Sequence, residues 1–511
     1  MLSRALGFGL NGVEGFPVTV EVNLSAGKPR FDIVGLPDAS VRESQDRVRS
    51  AVQNMGYKMP VSWITVNLAP ADVKKEGPCF DLPIALCILA ASRQIHLREL
   101  DRILLMGELS LDGTIMPVTG ALPRAIAAKE QGIACVLCSR DNAKEIQCIE
   151  GLNVYPCRTL KEAVEHLSGL CPILPQIQVS YEEIMTRPQT GTIDLCQVKG
   201  QTNAKKALEV AAAGGHNMLM VGVPGSGKTM LARCLPGILP SMSFEEALEV
   251  TRIHSAAGVL ESGAGLLTTR PFRSPHHSAS MASMIGGGAN ARPGEVSLSH
   301  NGVLFLDELP EFSRPTLEAM RQPLEDGFVT VSRVQQSARY QARCMLIASM
   351  NPCPCGYYGS QTRPCRCTQH DIRRYLDRIS GPLLDRIDIQ IEVDALNVED
   401  IQSAAPAETS ATVRERVEKA RMLQRERYKA DGIFCNAQLT NTLIEKYCAL
   451  DASSAAILAA AQKKLNMSMR AYTRTLKVAR TLADLRGAAQ IGPQDIAIAV
   501  SFRALDSKYW G

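Results

Sequence analysis

No apolar run in this sequence reaches the roughly 18 residues that a bilayer-crossing helix needs, which excludes a chain threaded through a membrane by helices. The opening segment MLSRALGFGLNGVEGF carries neither the apolar core nor the cleavage pattern of a secretory leader, so a cytoplasmic protein is expected. Neither sign of charge dominates. Lys and Arg number 56 against 52 Asp and Glu, and the net charge of +4 permits a local basic surface for nucleic acid without arguing for one. There is no internal repeat and no low-complexity tail. A disulfide framework is missing too: most of the 16 cysteines are scattered through apolar segments, as buried thiols in a reducing compartment would be. One cluster of four is the exception.

What is present is the composition of an ordinary globular protein, with 45% hydrophobic and 21% charged residues. A chain of 511 residues is too long for one core, and about three domains are expected. The sequence is organised around GVPGSGKT, residues Gly222, Val223, Pro224, Gly225, Ser226, Gly227, Lys228 and Thr229, directly after the apolar run 217–221. Strand, glycine-rich turn and helix in that order make a phosphate loop. Its glycines let backbone N–H groups ring a phosphate, and the helix from Lys228 adds the positive end of its dipole. Lys228 is expected to reach the β- and γ-phosphates of ATP, and the Thr229 hydroxyl to ligate Mg²⁺.

The flanking segments read as follows. Residues 1–168 alternate strands (17–24, 31–35, 61–68, 103–109, 133–138, 152–157) with helices (from Asp38 to about Asn54, 81–92 and 119–132), an α/β domain. Residues 169–193 are polar and punctuated by proline, a linker. An ATPase core is expected over 194–395 and a helical bundle over 396–511, with a Thr cap before the helix in 408–432 and Pro493 in the first turn of the last helix.

Four further stretches carry chemistry. GVLFLDE (302–308) is a buried strand ending in two acids: Asp307 suits the Mg²⁺ shell, and Glu308 suits orienting or deprotonating the attacking water. CMLIASMNP (344–352) is a second buried strand, ending at Asn351, whose amide can address the γ-phosphate or that water. SGPLLDRID (380–388) places Arg386 where a guanidinium can reach a neighbouring subunit's nucleotide; the plain alternative is an intrachain ion pair with Asp385 or Asp388, and Arg378 competes for the same role. The basic helix 468–485 offers Arg470 as a phosphate contact from the lid, or as surface charge.

Together these motifs resemble the ordered parts of an AAA+ ATPase. FRSPHHSASMASMIGGG (272–288), PGEVSLSHNGVLFLDELPEF (293–312) and MNPCPCGYYG (350–359) look like its magnesium-chelatase-related branch, and within it the YifB/ComM family. KKEGPCFDLPIAL (74–86) and GELSLDGTIMPVTGALPRAI (107–126) resemble the paired active-site segments of the Lon-type protease fold, but Cys79 stands at the serine position and Pro123 at about the lysine position. Without that lysine no general base activates a nucleophile, so the domain reads as a non-proteolytic scaffold. The resemblance implies an N-terminal Lon-protease-like α/β domain, a P-loop AAA+ three-layer domain with a parallel sheet and a C-terminal α-helical lid. It also implies a ring-forming, usually hexameric, homo-oligomer. For ComM members it implies ATP-driven DNA helicase activity and branch migration during DNA uptake and recombination. The competing reading is an ATP-driven chelatase or chaperone-like remodeller of a protein partner.

The residues themselves add a hairpin at 325–343, with alternating residues on both arms and Arg333, Arg339 and Arg343 around it. In this branch the corresponding hairpin projects into the ring pore, where Arg333 and Arg339 would meet a DNA backbone without sequence preference; solvated surface charge is the alternative. His276 and His277 read as loop residues with no ligand role. Cys353, Cys355, Cys365 and Cys367 are spaced C-x-C-x9-C-x-C, which suits a closed structural Zn²⁺ site or four reduced thiols.

Overall fold

Val18, Val20 and Val22 alternate with polar neighbours, and that period of two buries all three on one face of a strand. The computed structural model in which they are seen describes residues 1–511 except 98, 187–192, 262, 289–290, 333–336, 361–362, 396–407 and 511. The first sheet has seven strands: β1 (Leu2–Asn11), β2 (Glu14–Ser25), β3 (Arg30–Val34), β4 (Trp63–Ala69), β5 (Leu104–Leu105), β6 (Cys135–Ser139) and β7 (Asn153–Cys157), in the order β3-β4-β2-β1-β5-β6-β7. β1–β2 and β2–β4 are antiparallel and the other pairs parallel.

The sequence pattern assigns no strand to residues 1–16, yet β1 lies inside this sheet and pairs along its whole length with β2. Glycines at 7 and 9 hide the strand signal. They are there because rings lie on them: a Cβ at Gly9 would fall 2.3 Å from the Phe16 ring, and one at Gly7 would fall 3.2 Å from Phe80.

The helices of this region start where their caps dictate. Asp38 accepts from Val41 N to open Ala39–Asn54, and helix Asp81–Ala91, buried except at Ala90, lies against the sheet. Helix Phe244–Ala257, from the middle of the chain, adds Ala247 and Val250 to the same core. It is tied there by Arg252 Nε donating to Val13 O (2.9 Å) and Gly120 N donating to Ser255 O (3.0 Å). Of the segment 169–193, Tyr181 donates to Met242 O at 2.6 Å and Ile184 is buried.

The second sheet has five strands, all parallel: β8 (Met218–Gly222), β9 (Phe272–Arg273), β10 (Val303–Leu306), β13 (Met345–Met350) and β14 (Ile389–Val393), in the order β9-β10-β13-β8-β14. Strands β11 (Phe328–Ser332) and β12 (Ser337–Gln341) form a separate antiparallel hairpin. β8, β10 and β13 are buried along their whole length, as parallel strands covered on both faces must be. At one end Asn217 holds three strands together: its side chain donates to Arg386 O and accepts from Leu346 N, both at 2.8 Å. At the other, the carboxyl ends of β8, β10 and β13 open side by side, the position where parallel sheets bind ligands.

Six helices follow among the described residues beyond 407: Ser410–Arg427, Asn441–Tyr447, Ala452–Leu465, Met469–Leu485, Pro493–Ser501 and Ala504–Tyr509. Thr409 caps the first. The first five share one core with helices Thr202–Gly214 and Lys228–Ile238 and one face of the parallel sheet, while the sixth adds Leu505 and Tyr509 to the core on the other face. Among the described residues no helix is long and apolar enough to cross a membrane.

Candidate functional site

β8 delivers the chain to the phosphate loop, where Gly225 (φ +78°) and Gly227 (φ +89°) take the left-handed conformation that side chains resist. Helix Lys228–Ile238 begins at once. The Lys228 ammonium donates to Gly222 O (2.7 Å), Val223 O (3.0 Å) and Asn351 Oδ1 (3.3 Å). Burial draws its pKa below the ordinary lysine value, while Asp307 and Glu308 oppose that shift. Thr229 Oγ1 donates to Asp307 Oδ2 at 2.8 Å, and the Ser349 hydroxyl donates to the other Asp307 oxygen. Lys228, Thr229, Asp307 and Asn351 thus come together from three strand ends.

Ser349 was not foreseen. Its signal was available, as the one hydroxyl in the apolar run Met345–Met350.

The residues fit a nucleotide and its divalent cation. Ser226 Oγ is buried with no hydrogen-bond partner in the described structure, and the lysine is turned onto backbone carbonyls that a phosphate can replace. Thr229 and Asp307 pair a hydroxyl with a carboxylate, the oxygen donors that Mg²⁺ prefers.

Glu308 has a left-handed backbone, φ +52°, which turns it out of the strand direction. Its carboxylate is half-exposed, with Oε2 3.5 Å from His277 Nδ1. His277 was read as a loop residue with no ligand role; the structure sets it against this glutamate, and its ring lies 4.1 Å from that of His276. Two sequence-distant loops make that contact, so spacing could not reveal it.

Arg386 and Arg470 are held elsewhere. Arg386 donates to Pro382 O at 2.6 Å and pairs with Glu325, which corrects the expected alternatives Asp385 and Asp388. Those acids are taken by Arg470 (3.3 Å) and Arg474 (2.6 Å) respectively. Arg378 pairs with Glu311 at 2.9 Å. The hairpin buries Val329, Val331, Ala338 and Tyr340 and exposes Thr330, Ser332, Ser337 and Arg339. The Arg339 guanidinium lies 3.6 Å from the centre of the Phe328 ring. Arg333 lies outside the described residues.

The four clustered cysteines do meet, with all four sulfurs within 4.8 Å of one another. Cys79 is buried, and burial pushes its thiol pKa up, the opposite of what a nucleophile needs.

Three segments match family profiles: residues 20–142 "Subunit ChlI of Mg-chelatase", 194–401 "Magnesium chelatase, subunit ChlI", and 407–503 "Magnesium chelatase, subunit ChlI C-terminal". The chain is 46% identical to "Competence protein ComM" of Haemophilus influenzae over 495 residues, 97% of this chain and 96% of that one. It is 45% identical to "Uncharacterized protein YifB" of Escherichia coli over 504 residues, 97% and 96% of the two chains. The chain belongs to the YifB/ComM family of magnesium-chelatase-like AAA+ proteins. A weaker similarity, 28% over 174 residues, links 31% of the chain to 22% of "Lon protease 1" of Bacillus subtilis. The fold of a YifB/ComM protein is therefore as expected: a Lon-like α/β N-terminal region, a parallel-sheet ATPase region and a helical C-terminal region. Family membership makes the chain an ATPase that uses ATP and Mg²⁺.

Proposed function

We propose that this YifB/ComM protein is a ring-forming motor that spends ATP on moving along or remodelling DNA, a helicase or branch-migration enzyme of DNA uptake and recombination. The hairpin of Phe328–Ser332 and Ser337–Gln341 carries the reading: its apolar face is buried on the ATPase region and on the Gly12–Val13 turn of the N-terminal region, and its polar face leaves Arg339 exposed. The relative named a competence protein supports it. Such a face recognises a phosphate backbone and no particular base. Arg333, which follows Ser332 in sequence, would add to it.

In this reading residues Gly222 to Thr229 wrap the phosphates, and Lys228 leaves its carbonyls for the β- and γ-phosphates. Thr229 and Asp307 hold Mg²⁺, which when bound neutralises phosphate charge. Glu308 accepts the proton of the attacking water and Asn351 orients it. Arg386 of a neighbouring copy and Arg470 of the lid meet the transferring group, each leaving its acidic partner. We take the ring to be a homo-hexamer in the cytoplasm, in keeping with sixteen cysteines none of which is paired in a disulfide. The domain limits are taken as 1–168, 169–193, 194–395 and 396–511.

The test is the steady-state ATPase rate with single-stranded, duplex and four-way-junction DNA at two salt concentrations. A several-fold rise, weakened by salt and lost in Arg333→Ala and Arg339→Ala, is expected. Rings with intact basal turnover and no response to any DNA would move the function to remodelling a protein partner.

A further inference from the structure

Asn351, the Lys228 partner at the end of β13, stands two residues before Cys353. Cys353 Sγ is 3.4 Å from Cys355 Sγ and 3.7 Å from Cys365 Sγ, and Cys355 and Cys365 are 3.6 Å apart. Sulfurs about 2.3 Å from one Zn²⁺ at tetrahedral corners sit about 3.8 Å from each other. Disulfide sulfurs sit at about 2.05 Å. The spacing is that of a metal's ligands and not of a disulfide. Cys353 is buried and the other three are half-buried, so water has limited access to the cluster.

The loop that carries the cluster leans on the phosphate loop. Gly356 turns at φ +85°, and its N–H donates to Cys353 O at 2.9 Å. A Cβ there would lie 2.7 Å from the Pro224 ring and 3.9 Å from the Asn351 amide carbon. Only glycine permits both the left-handed turn and that approach. Beyond the cluster, Cys367 runs straight into Thr368, whose capping box with Asp371 opens helix Gln369–Leu376. Tyr358 meets the ring of Tyr509 on the last helix, with centroids 6.4 Å apart. One loop therefore touches the phosphate loop, the helix leading toward Arg378 and Arg386, and the C-terminal helix.

We infer that Cys353, Cys355, Cys365 and Cys367 hold one Zn²⁺, and that the metal fixes this loop as a wall of the phosphate site, so that metal occupancy sets nucleotide affinity through the Gly356–Pro224 contact. The inference rests on the reading that the phosphate loop takes a nucleotide; it does not depend on DNA. On binding, the thiols release their protons to solvent and the thiolates fill all four positions, leaving none for catalysis. Without the metal, crowded sulfurs have no shared partner, the wall is free to leave Pro224, and the site loses preorganisation. By linkage, nucleotide then strengthens metal retention by the same factor that metal strengthens nucleotide binding.

The experiment measures zinc content and binding of fluorescent ADP, both without DNA or turnover. The intact protein is expected to carry about one zinc per chain. Stripping it with a chelator under reducing conditions is expected to weaken ADP binding about tenfold or more, and added zinc to restore it. Gly356→Ala is expected to keep its zinc and still bind ADP more weakly. Cys365→Ser with Cys367→Ser is expected to lose both. A protein that takes up no zinc while all four thiols react freely overturns the metal site. Unchanged ADP affinity after zinc removal, or in Gly356→Ala, overturns the coupling. Loss of ADP binding even in the zinc-loaded wild type would instead defeat the nucleotide reading.

Discussion

His277 Nδ1 stands 3.5 Å from Glu308 Oε2, and the glutamate in that contact has a left-handed backbone at φ +52°. A non-glycine residue in that region costs on the order of 1 kcal/mol or more. The turn is held by Glu311 N donating to Glu308 O at 2.8 Å. The strain aims the carboxylate off the strand axis and toward the loop of His277. Glu308→Gln keeps the size and the acceptor oxygen but removes the base. ATP binding is expected to survive, while single-turnover hydrolysis falls about 100-fold or more. Turnover at the wild-type rate would remove Glu308 from the base role.

His277 has its own prediction. If its ring positions the glutamate, His277→Ala lowers kcat several-fold with nucleotide affinity unchanged. In the Glu308→Gln background the same change is expected to have no further effect on hydrolysis, because the group it positions is gone. Additive losses in the double variant would mean that His277 acts through something else.

Arg386 in its own chain is occupied by Pro382 O and Glu325, not by the phosphate loop. Action across a subunit boundary predicts complementation. Arg386→Ala is expected to lose about 1,000-fold in turnover, and Lys228→Ala to lose nucleotide binding. Mixed rings contain interfaces where an intact Lys228 meets an intact Arg386, so mixing the two inactive variants should recover a fraction of the ATPase rate. No recovery in rings of proven mixed composition would place Arg386 outside the neighbour's site.

What was legible in the sequence is what local chemistry dictates. The phosphate loop needs glycines at Gly225 and Gly227, and both have positive φ. Asp38 and Thr409 cap helices because each is a short polar acceptor before an apolar period. The parallel strands were legible as continuous apolar runs ending in Asp307 and Asn351. What escaped depends on contacts far apart in sequence. Gly7 and Gly9 look like strand breakers until Phe80 and Phe16 are seen lying on them. The Glu325 partner of Arg386 is 61 residues away, and spacing favoured the adjacent acids. The seat of Gly356 on Pro224 joins two loops that only the sheet order brings together.

The last relationship ties the lid to the base of the parallel sheet. Asp388 is buried, with Oδ1 2.6 Å from Arg474 and Oδ2 3.2 Å from His216 Nδ1; His216 Nε2 is 2.7 Å from Thr481 Oγ1. Burial works against the Asp388 charge, but Arg474, the His216 ring and Lys477 outweigh it and hold the carboxyl well below the usual range. A depressed carboxyl contributes stability that is fully present above its unfolded value of about 3.9 and is lost as pH falls through the folded one. Acid is therefore expected to loosen the lid as Asp388 takes up a proton. Asp388→Asn leaves the half-buried Arg474 beside a neutral amide, which at neutral pH is expected to cost about 1–3 kcal/mol, less than a fully buried pair would. The variant should then show a lower melting temperature at pH 7 and a shallower fall than the parent as pH drops from about 4 downward toward the depressed folded value, because one acid-titrating contact has already been removed. Thermal melts of both proteins across that range check it. A variant that loses stability to acid as steeply as the parent would show that Asp388 does not carry the acid response of this joint.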